Sequence, residues 1–158
     1  MNTAPIIYCS TSEEETLRFG RILGICLLSG TTVLLSGGLG AGKTVLVRGV
    51  GETLGAARVR SPSFTLVNEY QTDTFLLAHA DLYRLEPNGV QDIDLENYLD
   101  DDCVLFVEWP ERWKAPPEND VLKITIDVED EVTRNFRIAS AGGKAGRVID
   151  ALHTALGV

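Results

Sequence analysis

A three-layer α/β domain built on a mixed, mainly parallel sheet is the fold class the sequence predicts. Three observations carry it. A charge-free stretch from residue 22 to residue 42 passes from a helix end through a strand-length apolar run into a glycine-rich loop. An amphipathic segment follows that loop at once, and two late segments alternate apolar with polar residues, as half-buried antiparallel strands do. Strand-like and helix-like segments in alternation point to parallel strands covered by helices, and the late pair adds antiparallel strands to them.

The elements follow in order. Pro5 to Cys9 is a short apolar run that reads as an edge strand. Ser12 with Glu15 three residues later is a capping-box pattern, and Phe19, Ile22, Leu23, Cys26 and Leu27 continue it at helical spacing, so a helix is predicted from Glu13 to Leu28, before Gly30. Thr32 to Ser36 reads as a buried central strand. Lys43 to Leu54 has helical spacing (Val45, Leu46, Val50, Leu54) and stops at Gly55, a natural left-handed terminator. Phe64 to Tyr70 and Phe75 to Ala80, joined by the polar Gln71 to Thr74, form a predicted hairpin. A short helix is expected at Leu95 to Leu99 and a buried strand at Cys103 to Val107, after which Pro110, Pro116 and Pro117 end regular structure. Val121 to Val128 and Arg134 to Ala139 alternate, and Ala145 to Leu156 closes the chain as a helix. With no repeat, low-complexity stretch or long linker, residues 1–158 are expected to form a single domain.

The 158 residues carry 23 acidic and 14 basic side chains, a formal charge of -9. That balance argues against a stand-alone nucleic-acid binder, whose affinity comes from neutralising phosphates, so any RNA would be held by a partner. The acidity is local. Glu86, Asp92, Asp94, Glu96, Asp100, Asp101 and Asp102 fall in one stretch without Lys or Arg, and the remainder is nearly balanced. The stretch is a solvated face or a docking surface for a basic partner, whereas Lys43, Arg48, Arg58 and Arg60 gather near the glycine-rich loop. Cys9, Cys26 and Cys103 lack the spacing of a zinc or redox site and read as reduced, buried residues. No secretory pattern opens the chain, so a cytoplasmic location is expected; glycines, serines and threonines interrupt the charge-free run, which excludes a membrane span.

The chemistry-bearing segment is Gly37-Gly38-Leu39-Gly40-Ala41-Gly42-Lys43-Thr44, which fits the phosphate-loop pattern of glycine, four residues, Gly, Lys and Ser or Thr. Glycines let backbone amides turn inward around a polyphosphate, the following helix directs its positive end at the same place, Lys43 supplies a mobile charge, and the Thr44 hydroxyl can ligate magnesium. The later Gly142 to Gly146 stretch lacks the Gly-Lys-Ser/Thr ending and reads as a turn before the last helix. Magnesium nucleotide sites also need a carboxylate at the end of a buried strand, and two acids qualify: Asp81, after Phe75 to Ala80, and Glu108, after Cys103 to Val107. Arg60-Ser61-Pro62-Ser63-Phe64-Thr65 occupies the position of a phosphate-sensing switch or, equally, of a turn and strand start. His79 alternates with Leu77 along a strand and reads equally as a satisfied core histidine, not as a catalytic residue. Trp109 and Trp113 beside Glu108 form an aromatic corner and serve as reporters. The Asn-Lys-x-Asp guanine signature is absent, which favours ATP by default; Arg134 is placed either to stack on adenine or simply in solvent at a strand end.

These residues resemble the TsaE (YjeE) family, small phosphate-loop ATPases of bacterial tRNA threonylcarbamoyladenosine synthesis. The similarity runs from Glu15-Thr16-Leu17 to Glu108 and rests on four blocks: LGAGKT at Leu39 to Thr44, SPSFTLVNEY at Ser61 to Tyr70, HADLYRL at His79 to Leu85, and VEWPE at Val107 to Glu111. The resemblance implies ATP and Mg2+ as ligands, magnesium near Thr44 and Glu108, the Ser-Pro block with Ser63 and Thr65 as switch, and Asp81 in turnover. It also implies slow ATP hydrolysis that drives a cycle in TsaB and TsaD partner proteins, with tRNA reached only through that complex. Two positions depart from the family pattern: Gly38 replaces an aspartate of the loop, and Ser63 replaces the threonine of Ser-Pro-Thr. A small-molecule kinase and a nonhydrolytic nucleotide-dependent binding module are the competing classes; the kinase would need an acceptor pocket and lid arginines, for which the chain offers Arg112 and Lys114.

Overall fold

Helix α1 (Glu13–Cys26) begins where the capping pattern places it. In the computed structural model, which describes residues 4–56, 58–62, 66–85 and 94–158, the Ser12 hydroxyl accepts from the Glu15 amide at 3.0 Å. The Glu15 carboxylate in turn accepts from the Thr11 amide at 2.7 Å and the Thr11 hydroxyl at 3.0 Å, and these bonds, the amide first, hold its carboxyl below the usual range. The helix ends two residues before the expected Leu28, with Leu27 already extended. Helix α2 (Lys43–Leu54) matches its predicted span because glycines bound it: Gly42 and Gly55 take left-handed φ values of 103° and 75°. Helix α3 (Gly143–Leu156) starts two residues earlier than predicted, after the turn at Gly142.

Seven strands form one sheet: β1 (Ile6–Ser10), β2 (Thr32–Ser36), β3 (Val67–Gln71), β4 (Leu76–Asp81), β5 (Cys103–Glu108), β6 (Val121–Val128) and β7 (Arg134–Ala141). Their order is β1-β7-β6-β2-β5-β4-β3. The central four, β6, β2, β5 and β4, are mutually parallel, and β3 and β7 are paired antiparallel to their neighbours. The mixed, mainly parallel sheet is thus the predicted one. β3 begins at Val67 among the described residues, Phe64, where the sequence places its start, lying outside them, and β1 is the edge strand expected.

All three α-helices pack on one face, where Phe19, Leu46, Val50, Phe106, Phe136 and Ile149 share a buried core. On the other face Leu34, Ala78, Leu105 and Val107 meet Leu82, Leu95 and Trp113, so that layer consists of connecting chain and short turns. The helix expected at Leu95–Leu99 is one 3-10 turn, Leu95–Tyr98, since four residues cannot sustain an α-helix. This second layer stops short of β1, whose residues alternate between buried and outward-facing positions. Ile7 and Cys9 are therefore exposed, which corrects the expectation that all three cysteines are buried; Cys26 and Cys103 are, and burial pushes the Cys103 thiol up to about 11. Among the described residues no helix is long and apolar enough to cross a membrane.

Helices α1 and α2 touch backbone to backbone. A Cβ built on Gly20 would lie 2.3 Å from the Leu46 carbonyl oxygen, and one on Gly49 would lie 2.3 Å from that of Leu17. This contact sets where the N-terminus of α2, and with it the glycine-rich loop, is held.

The end of α3 is tied to the chain's beginning. His153 Nδ1 lies 2.9 Å from the Val158 carbonyl oxygen and Nε2 lies 2.9 Å from that of Ala4. Both partners only accept, so the arrangement is complete when both ring nitrogens are protonated, and these bonds raise the His153 pKa above 6.5. A group whose folded pKa is raised contributes stability that is full below the unfolded value and is lost as pH rises through the folded one. Chemical denaturation between about pH 6 and about pH 9 is expected to show a falling midpoint, with a component that disappears in His153→Phe.

Candidate functional site

The glycine-rich loop leaves β2 at the sheet's centre, between β6 and β5, at the carboxyl ends of parallel strands where ligands of such sheets bind. Gly37 sits against β6, where a Cβ would meet the Ile126 carbonyl oxygen at 3.0 Å; at Gly38 and Gly40 a Cβ would meet nothing within 4 Å. The loop's crest is thus an open cradle. Gly40 and Gly42 take positive φ, but Gly38 does not, so neither space nor backbone demands glycine at position 38.

Lys43 opens α2 and is only 5% exposed. Its Nζ donates to the Gly37 carbonyl at 2.6 Å and lies 4.2 Å from the centre of the Trp109 ring. Burial draws its pKa down, while the charges of Glu108, Asp81 and Glu111 oppose that shift. Asp81 and Glu108 are register partners at the ends of β4 and β5. Burial first, then the charge of Glu108, raises the Asp81 carboxyl; the Tyr83 amide, donating to Asp81 Oδ1 at 3.0 Å, acts the other way. Lys43, Thr44, Ser61, Asp81, Glu108 and Trp109 line one cleft of about 480 Å³.

Two non-glycine residues beside this cleft have left-handed backbones, Leu66 (φ 67°) and Trp109 (φ 58°). Trp109 precedes Pro110, a position biased toward extended conformations, and its turn lays the indole over Lys43. Tyr83 packs on the same ring at 4.9 Å between centroids. The Leu66 carbonyl accepts from the Asp81 amide at 3.0 Å, which links the end of the Ser-Pro segment to the end of β4. Ser61 lines the cleft; Ser63 and Thr65, the expected switch hydroxyls, lie outside the described residues.

A second cleft of about 230 Å³ lies across the loop, sharing Gly40, Ala41, Gly42 and Val45 with the first and bordered by Ser12, Val132 and Arg134. Arg134 donates to the carbonyls of Ala41 (3.2 Å), Gly40 (3.3 Å), Asp130 (2.8 Å) and Thr133 (3.1 Å). It braces the loop against the β6–β7 turn rather than standing in solvent at a strand end. Of the acidic stretch, Asp101 pairs with Lys144 at 3.1 Å and Asp100 Oδ1 accepts from the Asp102 amide at 3.1 Å, so part of it shapes the turn into β5. Arg112, the lid arginine a kinase would need, donates to the Leu85 carbonyl at 2.7 Å.

His79, expected as a strand or core histidine and not as a site residue, joins this cluster. It is fully buried, and its Nε2 lies 2.6 Å from Glu108 Oε2. The available signal was spacing: in His-x-Asp on a strand, both side chains face the same way.

The family model for "Threonylcarbamoyl adenosine biosynthesis protein TsaE" matches residues 10–136 of this chain. The chain belongs to the TsaE family. Among curated TsaE proteins, it is 40% identical to that of Nostoc sp. over 131 residues, covering 80% of each chain. It is 35% identical to that of Haemophilus influenzae over 147 residues, covering 88% of this chain and 92% of the relative. The crystal structure of YdiB from Bacillus subtilis superposes with a TM-score of 0.81 at 25% identity, covering 98% of both chains. The fold is that of a phosphate-loop NTPase with a mixed sheet, and the TsaE family places this chain in the biosynthesis of tRNA threonylcarbamoyladenosine.

Proposed function

We propose that this TsaE family protein binds and hydrolyses ATP, and that hydrolysis drives a cycle in the TsaB and TsaD partners that build the threonylcarbamoyl group onto adenosine in tRNA. The observation that carries the reading is the convergence, in one cleft, of an open glycine cradle, a helix N-terminus, the buried Lys43 amine and two carboxylates. Each element except the carboxylates attracts polyphosphate, and a carboxylate there has a use if a cation accompanies the phosphates.

The residues present fit magnesium nucleotide. Among the described residues no three metal-ligating side chains gather on their own, so a cation here must draw on phosphate oxygens and water, which is how magnesium binds with nucleotides. Thr44 and Glu108 would hold it, and when bound it neutralises charge on the phosphates. In the proposed sequence Lys43 exchanges the Gly37 carbonyl for phosphate oxygens, the loop amides hold the chain of phosphates, and Asp81 with Ser63 or Thr65 orients water and reports the nucleotide state. The second cleft, beyond Gly40 to Gly42, would take the base and sugar, with Arg134 at its border. Partners would be met through protein surfaces, and tRNA through them.

The decisive measurement is phosphate release from ATP by the chain alone and with TsaB, TsaD and tRNA. Slow basal release with strong partner stimulation is expected. Indifference to the partners would discard the motor role, label on an acceptor would mark a kinase, and tight binding without release under any condition would mark a nonhydrolytic module.

A further inference from the structure

The buried pair on β4 and β5 defines its own hydrogen-bonding state. His79 Nε2 is 2.6 Å from Glu108 Oε2, a carboxylate in a residue only 4% exposed, whereas His79 Nδ1 is buried and, among the described residues, has no hydrogen-bond partner. An ionised carboxylate only accepts, so Nε2 must carry the proton that makes this contact; leaving a lone pair on Nδ1 unpaired is the smaller loss. The pair is also one-sided at Glu108. Its other oxygen has no hydrogen bond among the described residues, and the residue lines the cleft. Lys43, the nearby cation, is held on the Gly37 carbonyl instead.

We propose that His79 is a positioning residue: as the Nε2–H tautomer it clamps one oxygen of Glu108, so that the other stays turned to the cleft rather than swinging onto Lys43. The proposal rests on the reading of Glu108 as a group that holds magnesium beside nucleotide, and it assigns the orientation of that carboxylate to a residue that itself touches neither. Glutamine at position 79 keeps an N–H donor at a similar reach, and leucine keeps bulk without a donor.

Two measurements test it. Nitrogen-15 NMR of the imidazole rings, without nucleotide or metal, is expected to show a proton on His79 Nε2; the chain has two histidines, so a His153→Gln sample assigns the signals. An Nδ1–H tautomer overturns the clamp. Calorimetric titration with ATP in EDTA is then expected to give affinities within about threefold of wild type for both variants, whereas the magnesium concentration that half-saturates the ATP complex rises about 10- to 100-fold in His79→Leu and stays within about threefold in His79→Gln. Equal losses in Gln and Leu, or none in Leu, overturn the positioning role. If His79→Leu does not fold, the glutamine variant and the tautomer decide: wild-type magnesium dependence in His79→Gln supports the clamp and a loss there refutes it. A wild-type chain that binds no ATP overturns the nucleotide reading together with the metal-facing half of this proposal, while the tautomer result still judges the clamp.

Discussion

Phosphate release by Lys43→Ala is expected to fall at least about a hundredfold, to background, because the variant loses the charged donor nearest the site where negative charge develops. The structure sharpens why alanine cannot compensate. Lys43 is almost fully buried, and the Glu108, Asp81 and Glu111 carboxylates all act on its charge. Without the ammonium those acids face a polyanionic substrate unopposed, so binding weakens along with turnover. Phosphate release together with calorimetric ATP binding checks the result, and a thermal melt confirms that the variant is folded. The contact with Trp109 supplies an optical control: indole emission should change when ATP draws Nζ from the ring face in wild type, and the variant should show no such change. Normal turnover by a folded Lys43→Ala protein would end the nucleotide-hydrolysis reading.

The largest expected effect on stability comes from a single methyl group far from the chemistry. In Gly49→Ala the new Cβ would stand 2.3 Å from the Leu17 carbonyl oxygen and 3.0 Å from the Arg21 amide nitrogen, both backbone atoms of α1. Neither can rotate away, so the helices must separate. Overpacking of this kind costs about 3 kcal/mol, or roughly 6–12 °C in thermal midpoint for a chain of this size. Because α2 begins at Lys43, separation also displaces the loop, and ATP affinity should fall with stability. Gly143→Ala is the control: it lies in the first turn of α3, its Cβ meets nothing within 4 Å, and it should leave the midpoint unchanged or raise it by up to about 1 kcal/mol equivalent. A Gly49→Ala midpoint equal to that of Gly143→Ala would refute the close helix contact.

Local structure was legible where short-range physics decides it. Helix α2 was read to the residue because left-handed glycines bound it, and α1 began at its capping box for the same local reason. The 3-10 turn at Leu95–Tyr98 differs from the helix expected there because its apolar residues fit helical spacing over a stretch too short to show a period. The exposure of Cys9 is not legible locally, because Pro5 to Cys9 is apolar throughout and nothing local tells which side of an edge strand lacks a covering layer.

The candidate site divides along the same line. The loop, Lys43 and Thr44 are contiguous, so their chemistry and the ligand class it suits follow from residue type and spacing. Asp81 and Glu108 were found because a buried strand ending in an acid is itself a local signal. The pairing of His79 with Glu108, the indole over Lys43 and the use of Arg134 on loop carbonyls join residues 29 or more positions apart. Those contacts depend on strand order and register, which place β4 beside β5 and β7 near the loop. What the sequence determined by itself was therefore the fold class, the phosphate loop and the family likeness, all carried by contiguous residues. Only the tertiary structure decided which groups orient one another, because hydrogen-bond partners across a sheet are chosen by geometry and not by neighbourhood in the chain.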